Sequence, residues 1–234
     1  MKKTILFGLL ACAATTMLAA DAKEEVTAAA KKLADQAGYT WKTTVALPEG
    51  SRMPSGPTEG KTQKDGLTHV TMTFGENTTE LLMKGEKAAV KSQDSGWQST
   101  AELEGSEGRG RWTGMMARNF TLPAAQAAQI AGYAKDLKKD GDAYTGTLTD
   151  EGAKALMSFR RRSGGGDGPT ISNPSGSAKF WVKDGILTKY EFQVKGSMSF
   201  NGNDRDIDRK TTVEIKETGK PKLEVPEDAI KKVS

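Results

Sequence analysis

Residues 178–194 run Ala178-Lys179-Phe180-Trp181-Val182-Lys183-Asp184-Gly185-Ile186-Leu187-Thr188-Lys189-Tyr190-Glu191-Phe192-Gln193-Val194. Tyr190, Phe192 and Val194 alternate strictly with Lys189, Glu191, Gln193 and Lys195. A period of two over that length is a half-buried strand with one wet and one dry face. Asp184-Gly185, between two such runs, accepts the positive φ angles of a type I′ turn. The stretch is therefore an antiparallel hairpin, and the rest of the chain repeats its pattern.

Asp65-Gly66 and Asp140-Gly141 also sit between strand-like runs, and Gly75-Glu76-Asn77 and Lys84-Gly85-Glu86 mark two more reversals. Gly60 to Ser92 reads as a meander of short strands, Lys135 to Leu148 as a second hairpin. Ser197 to Phe200 and Arg209 to Lys216 add strands around an Asn201-Gly202 turn. Tight turns cannot join parallel neighbours, so the sheet is antiparallel. Upstream, Val26, Ala30, Leu33 and Ala37 recur at helical spacing and Gly38 stops them. Tyr39, Trp41, Thr43, Val45 and Leu47 then line one face of a strand, and Pro48 to Gly60 is a loop. Thr121 caps a helix with Pro123 in its first turn and Ala127, Ile130 and Ala134 on its apolar face. Thr149 or Asp150 starts a short helix with Ala153, Leu156 and Met157 on one side. Arg160 to Gly176, rich in Gly, Ser and Pro, reads as a loop.

The sum is an α+β chain: ten to eleven antiparallel strands, an N-terminal helix and two further helices. A sheet of that size curls into a half-barrel, and its dry concave face needs the helices as cover.

At the N-terminus, Lys2 and Lys3 precede an apolar run from Ile5 to Leu18 that ends in Ala19, Ala20 and Ala22. This is the pattern of a secretory signal peptide over residues 1–22, with cleavage after Ala20 or Ala22. The run is shorter than the about 20 apolar residues that span a bilayer. Residues 23–234 then form one exported domain, periplasmic or secreted. A rival reading takes Leu9-Leu10-Ala11-Cys12 as a lipobox that would anchor the chain at Cys12. With ordinary cleavage the only cysteine leaves, and the domain is stabilised by its core alone.

The pI of about 9.0 reflects 34 basic against 30 acidic residues mixed along the chain. Nucleic acid is not implied, because binding it needs a clustered basic face. Arg160-Arg161-Arg162 beside Gly164-Gly165-Gly166 reads as a solvated loop, or else as a contact for anionic lipid headgroups or a partner. Catalysis has little to draw on. His69 is the one histidine, against hydrolytic triads and most zinc sites, and no carboxylate pair is placed for glycoside chemistry. Counting an EF-hand loop from Asp204 puts Arg209 where glycine belongs and Ile215 where glutamate belongs. Arg160 to Gly168 lacks the Gly-Lys-Ser/Thr ending of a phosphate loop. No catalytic residue, metal or cofactor is expected.

Apolar binding remains. Trp97, Trp112, Met115, Met116 and Phe120 are large residues in a segment, Ser95 to Phe120, that fits no period. Met157 and Phe159 join them from the short helix. Flexible methionines suit a pocket that adapts to varied acyl chains, and suit core filling as well.

In element order the chain resembles the LolA/LppX-type lipoprotein and lipid carriers of bacterial envelopes. Phe180 to Glu191 looks like that family's strand, turn and strand, and Lys222-Leu223-Glu224-Val225-Pro226-Glu227-Asp228-Ala229 resembles its closing segment. The resemblance implies a curved half-barrel whose helices enclose an apolar cavity, and a hydrophobic ligand: a lipid, an acyl chain or a lipoprotein anchor. It implies a monomer with at most peripheral membrane contact, Glu104 to Gly114 and Arg160 to Gly176 gating the cavity. Related folds also serve as envelope protein-interaction or sensor modules, which is the alternative. The classical carrier of the family holds its closed state through an arginine on an early strand. Here the first arginine after residue 22 is Arg52, in the expected loop.

Overall fold

A computed structural model describes residues 10–49, 51, 55–92, 95–158, 170–200 and 203–234. Phe159, the Arg160–Arg162 cluster, Arg52 and the Asn201-Gly202 turn lie outside them.

The chain begins with α1 (Leu10–Ala34), followed by β1 (Gly38–Ala46). The meander is β2 (Thr58–Gln63), β3 (Thr68–Phe74), β4 (Asn77–Lys84) and β5 (Lys87–Lys91), with the short β6 (Gln98–Ser99) at its edge. Two helices, α2 (Arg109–Arg118) and α3 (Pro123–Tyr133), lead to the hairpin β7 (Ala134–Asp140) and β8 (Ala143–Leu148). Next come α4 (Asp150–Met157), the long strands β9 (Thr170–Lys183), β10 (Ile186–Phe200) and β11 (Asn203–Thr218), and α5 (Glu227–Val233).

All the strands form one open antiparallel sheet in the order β6-β5-β4-β3-β2-β1-β11-β10-β9-β8-β7. Two meanders thus meet at the β1–β11 pair, where the first and last strands of the chain lie side by side. The curved half-barrel and the α+β class expected from the sequence are what is found.

Local chemistry explains most boundaries. Gly66, Gly85, Gly141 and Gly185 hold positive φ in the expected turns. Thr149 caps α4, its hydroxyl accepting from Gly152 N at 3.0 Å. At α3 the expected cap at Thr121 is not used: Leu122 takes the N-cap position without a side-chain bond, because Pro123 already presets the first turn.

Other expectations need correction. The N-terminal helix, expected over Lys23 to Ala37, begins at Leu10 within the segment read as a signal peptide and ends at Ala34, with Ala37 exposed beyond it. Thr58 to Gly60 and Thr170 to Gly176, read as loop, are strand, since each pairs with a formed neighbour. The two runs around Val194 and Ser197 are one strand. The aperiodic Ser95–Phe120 segment contains α2, and the closing segment ends in α5.

The main core lies between the concave face and α1, α3 and α4. Tyr39, Trp41, Phe180, Tyr190 and Phe192 come from the sheet, and Val26, Leu33, Ile130 and Met157 from the helices. A second, smaller cluster lies on the other face, where Leu82, Ala89 and Trp97 meet Ala229 and Val233 of α5. Leu81 and Leu82 are therefore both fully buried although they point to opposite faces.

Candidate functional site

The helices meet the sheet through small side chains. Ala29 and Ala30 of α1, Ala124, Ala127 and Ala131 of α3, and Ala153 of α4 are all buried, as is Ala22, which lies in the segment read as the signal peptide. Opposite them stand large rings: Tyr39 and Trp41 with centroids 5.6 Å apart, and Phe180 against Tyr190 at 6.4 Å. Between these alanines, Val26, Leu33, Ile130 and Met157 are the larger helical side chains buried in the same core.

Four side chains tie sheet to helices by polar bonds. Tyr190 Oη donates to Gln126 Oε1 of α3 at 2.6 Å. Ala124 N, at the start of α3, donates to Tyr39 Oη at 3.4 Å. Tyr144 donates to the Glu25 carboxylate of α1. Arg209 Nη2 donates to Leu156 O in the last turn of α4 at 2.6 Å. These environments hold the phenols neutral. Burial pushes Tyr39 up to about 12 against a weaker opposing pull from the Ala124 N–H. The hydrogen bond to Glu25 pushes Tyr144 up to about 12, and burial drives Tyr190 well above its ordinary value.

The structure does not gather the seven apolar residues read from the sequence. Met157 is buried beneath α4, and Met116 and Phe120 pack on the main core, Phe120 at 6.4 Å from the Trp41 ring. Trp97 sits in the cluster under α5, on the far side of the sheet, with its Nε1 buried and unpartnered. Trp112 and Met115 face solvent, 50% and 38% exposed. Phe159 is outside the described residues. On α2 the usual amphipathic order is inverted, because Thr113, Gly114 and Ala117 are the buried residues.

Two cavities are open to solvent. A groove of about 540 Å³ crosses the wet face of β7 to β11, lined by Lys138, Thr145, Lys179, Glu191 and Lys210. A cleft of about 210 Å³ lies between Tyr39, Thr62 and Leu122. Charged side chains stand along the groove, where Glu191 bridges Lys189 at 2.9 Å and Lys210 at 2.8 Å. Neither of these two is an enclosed apolar chamber.

Titratable groups are dispersed. His69 pairs with Glu80 at 3.0 Å, and among the described residues no three His, Cys, Asp or Glu side chains converge to hold a metal. Among the described residues no helix is long and apolar enough to cross a membrane.

No protein-family model and no curated protein matches the chain. Similar solved structures exist. They include lipoprotein LppX of Mycobacterium tuberculosis, 12% identical with a TM-score of 0.47, covering 87% of this chain and 98% of that one. LprF from Mycobacterium bovis is 12% identical, TM-score 0.45, with 90% and 98% covered. A LolA superfamily protein from Nitrosomonas europaea is 11% identical, TM-score 0.34, with 88% and 95% covered. The likeness is one of fold.

Sequence reasoning missed the tyrosines and Arg209. Tyr39 and Tyr190 were legible as dry-face residues, and a buried phenol needs an acceptor or donor, which was the available signal. For Arg209 the signal was the alternation Asp204-Arg205-Asp206-Ile207-Asp208-Arg209, which puts three carboxylates on one face and two guanidiniums on the other.

Proposed function

We propose that residues 23–234 form an exported, cofactor-free binding domain, released by removal of residues 1–22, that shelters the apolar part of a lipid, acyl chain or lipoprotein anchor between its sheet and its helices. The observation that carries this reading is a helical cover rich in buried alanines, interspersed with Val26, Leu33, Ile130 and Met157, over an aromatic sheet. Each alanine methyl withdrawn from the sheet forfeits on the order of 0.8 kcal/mol, much less than a leucine or phenylalanine would. An acyl chain can repay that cost methylene by methylene, so helices α1, α3 and α4 act as a displaceable cover. The resemblance read from the sequence points the same way. On this reading the domain acts by binding and not by catalysis.

The test is extraction of lipid from natively purified protein, with an unrelated exported protein as control, and titration of the delipidated chain with the neutral probe N-phenylnaphthylamine. A stoichiometric lipid and saturable probe fluorescence are expected. A clean extract with no probe binding would overturn the reading.

One observation favours a second reading. Trp112 and Met115 lie side by side on the solvent face of α2 with Arg111 exposed next to them. A Trp/Met/Arg patch has the composition of a protein-docking surface. If the extract is clean, the domain is an envelope interaction module that docks through α2.

A further inference from the structure

The distal ends of β9, β10 and β11 extend past β1, whose pairing with β11 stops at Ala46 opposite Lys210. Beyond that point the core face of the ribbon carries Val194 opposite Arg209, Gly196 opposite Ile207, and Met198 opposite Arg205. Helix α4 lies over this ribbon, with Met157 Cε so close above Gly196 that a Cβ there would meet it at 2.8 Å. Met198 and Ile207 pack partly buried against the core.

Into this apolar surrounding the chain sends a cation that has no counter-ion among the described residues. No carboxylate among the described residues lies within ion-pair distance of Arg209. Its Nε is buried without an acceptor, and its one described bond is to the Leu156 carbonyl. A partly buried guanidinium whose Nε is buried without an acceptor carries a desolvation cost that an anion would offset. Burial also pulls its pKa below the ordinary arginine value.

Its neighbouring acids on β11, Asp206 and Asp208, are turned the other way. Asp206 accepts from Ser197 Oγ at 2.7 Å, and Asp208 pairs with Lys195 at 2.9 Å and accepts from Gln193 at 2.6 Å, all on the wet face. Strict alternation thus segregates negative charge outward and Arg205 and Arg209 inward, with Ile207 between them. Arg205 is exposed at the outer end.

We propose that Arg209, flanked by Arg205, is the receptor for the anionic head of an amphiphile, a carboxylate or a phosphate, whose chain runs under α4 over Met198 and Ile207. The proposal builds on the binding function above and assigns the charge of its ligand. A guanidinium offers parallel N–H donors that match either oxyanion, and a planar fork of this kind is selective for such heads.

The test uses the full chain at neutral pH and the fluorescent dansylaminoundecanoic acid beside its methyl ester. The acid is expected to bind at least about tenfold tighter than the ester, the discrimination of a charge-assisted bond. Arg209→Met is expected to reduce the acid to the affinity of the ester without changing the ester, and Arg209→Lys to keep part of the preference. Equal binding of acid and ester by the unaltered protein would overturn the assignment of Arg209 and leave the apolar binding function standing. Binding of neither would overturn both. Laurate and dodecyl phosphate as competitors identify whether the head is a carboxylate or a phosphate, and displacement by either supports the proposal. Displacement by inorganic phosphate alone would overturn it in favour of a free-anion site. Binding to phosphatidylglycerol vesicles without binding of the monomeric acid would overturn it in favour of a membrane-surface contact.

Discussion

Tyr190 on β10 and Gln126 on α3 join the sheet to its helical cover, the Tyr190 hydroxyl donating to Gln126 Oε1 at 2.6 Å. The ring of Tyr190 is fully buried, whereas Gln126 is only partly so. Tyr190→Phe keeps the ring packing and deletes the bond, so it is expected to cost about 1 kcal/mol of stability. The more telling readout is hydrogen exchange. Amides of α3 are expected to exchange faster in Tyr190→Phe while those of β10 do not. Uniform acceleration across both elements would show that the bond holds the whole fold and not the cover.

The raised pKa of Tyr39 makes a prediction about alkaline pH. Its folded value of about 12 exceeds the ordinary 10.0, so the native state holds the proton longer than the unfolded chain does. This contribution is fully present below about pH 10 and is lost as pH rises toward about 12, amounting to roughly 2–3 kcal/mol. Denaturation melts across that window are expected to show falling stability, with a shallower fall in Tyr39→Phe. An unchanged slope in the variant would place the alkaline lability elsewhere.

Gly60 on β2 lies beneath the Trp41 indole, and a Cβ at that position would come within 2.1 Å of Trp41 Cζ2. Trp41 is buried and touches Tyr39 and Phe120, so it has nowhere to retreat. Gly60→Ala is therefore expected to destabilise by about 1–3 kcal/mol, the range of overpacking. A denaturant titration checks it, and Gly75→Ala, where open space surrounds the position, separates overpacking from the strain of positive φ.

How much of this was legible depended on how local the cause is. Asp65-Gly66, Asp184-Gly185 and Thr149 act on their immediate neighbours, and the hairpins and α4 could be placed from them. The resulting order of elements over the concave face was legible for the same reason. Helix α2 was not, because Gly114 and Ala117 face inward while Trp112 and Met115 face out, which reverses the pattern that marks a helix. Trp97 was misplaced because a two-residue strand has no period to tell its faces apart, and only α5 packing on the far face decides it. The ties from Tyr144 to Glu25 and from Arg209 to Leu156 link residues 119 and 53 apart in sequence. Nothing local announces such pairs.

The two faces of the molecule make a paired test with tryptophan. Trp112 is half exposed, so Trp112→Ser is expected to change stability by no more than about 0.5 kcal/mol. Trp97 is buried between β5 and α5, and Trp97→Ala is expected to cost about 3–5 kcal/mol. Trp97→Phe should recover most of that, since the indole Nε1 has no partner to lose. Thermal melts of the three variants decide it. A large loss in Trp112→Ser would mean that α2 buries its outer face.

Arg209 offers the sharpest separation of stability from function. Removing a partly buried cation that lacks a carboxylate among the described residues relieves a desolvation cost, and a methionine of similar length can take its place beside Gly196 and Ile207. Arg209→Met is therefore expected to be as stable as the unaltered chain or more so, by about 1 kcal/mol. The lost bond to Leu156 O works against this, but that carbonyl lies in the last turn of α4, which is open to other donors. A residue kept for packing alone would lower the melting temperature when replaced. A residue kept for an anionic ligand does the reverse in the empty protein, and the sign inverts once the ligand is added, because only the arginine form gains stability from binding. Melts with and without laurate measure both signs, and a destabilised Arg209→Met in the empty protein would assign Arg209 to the fold.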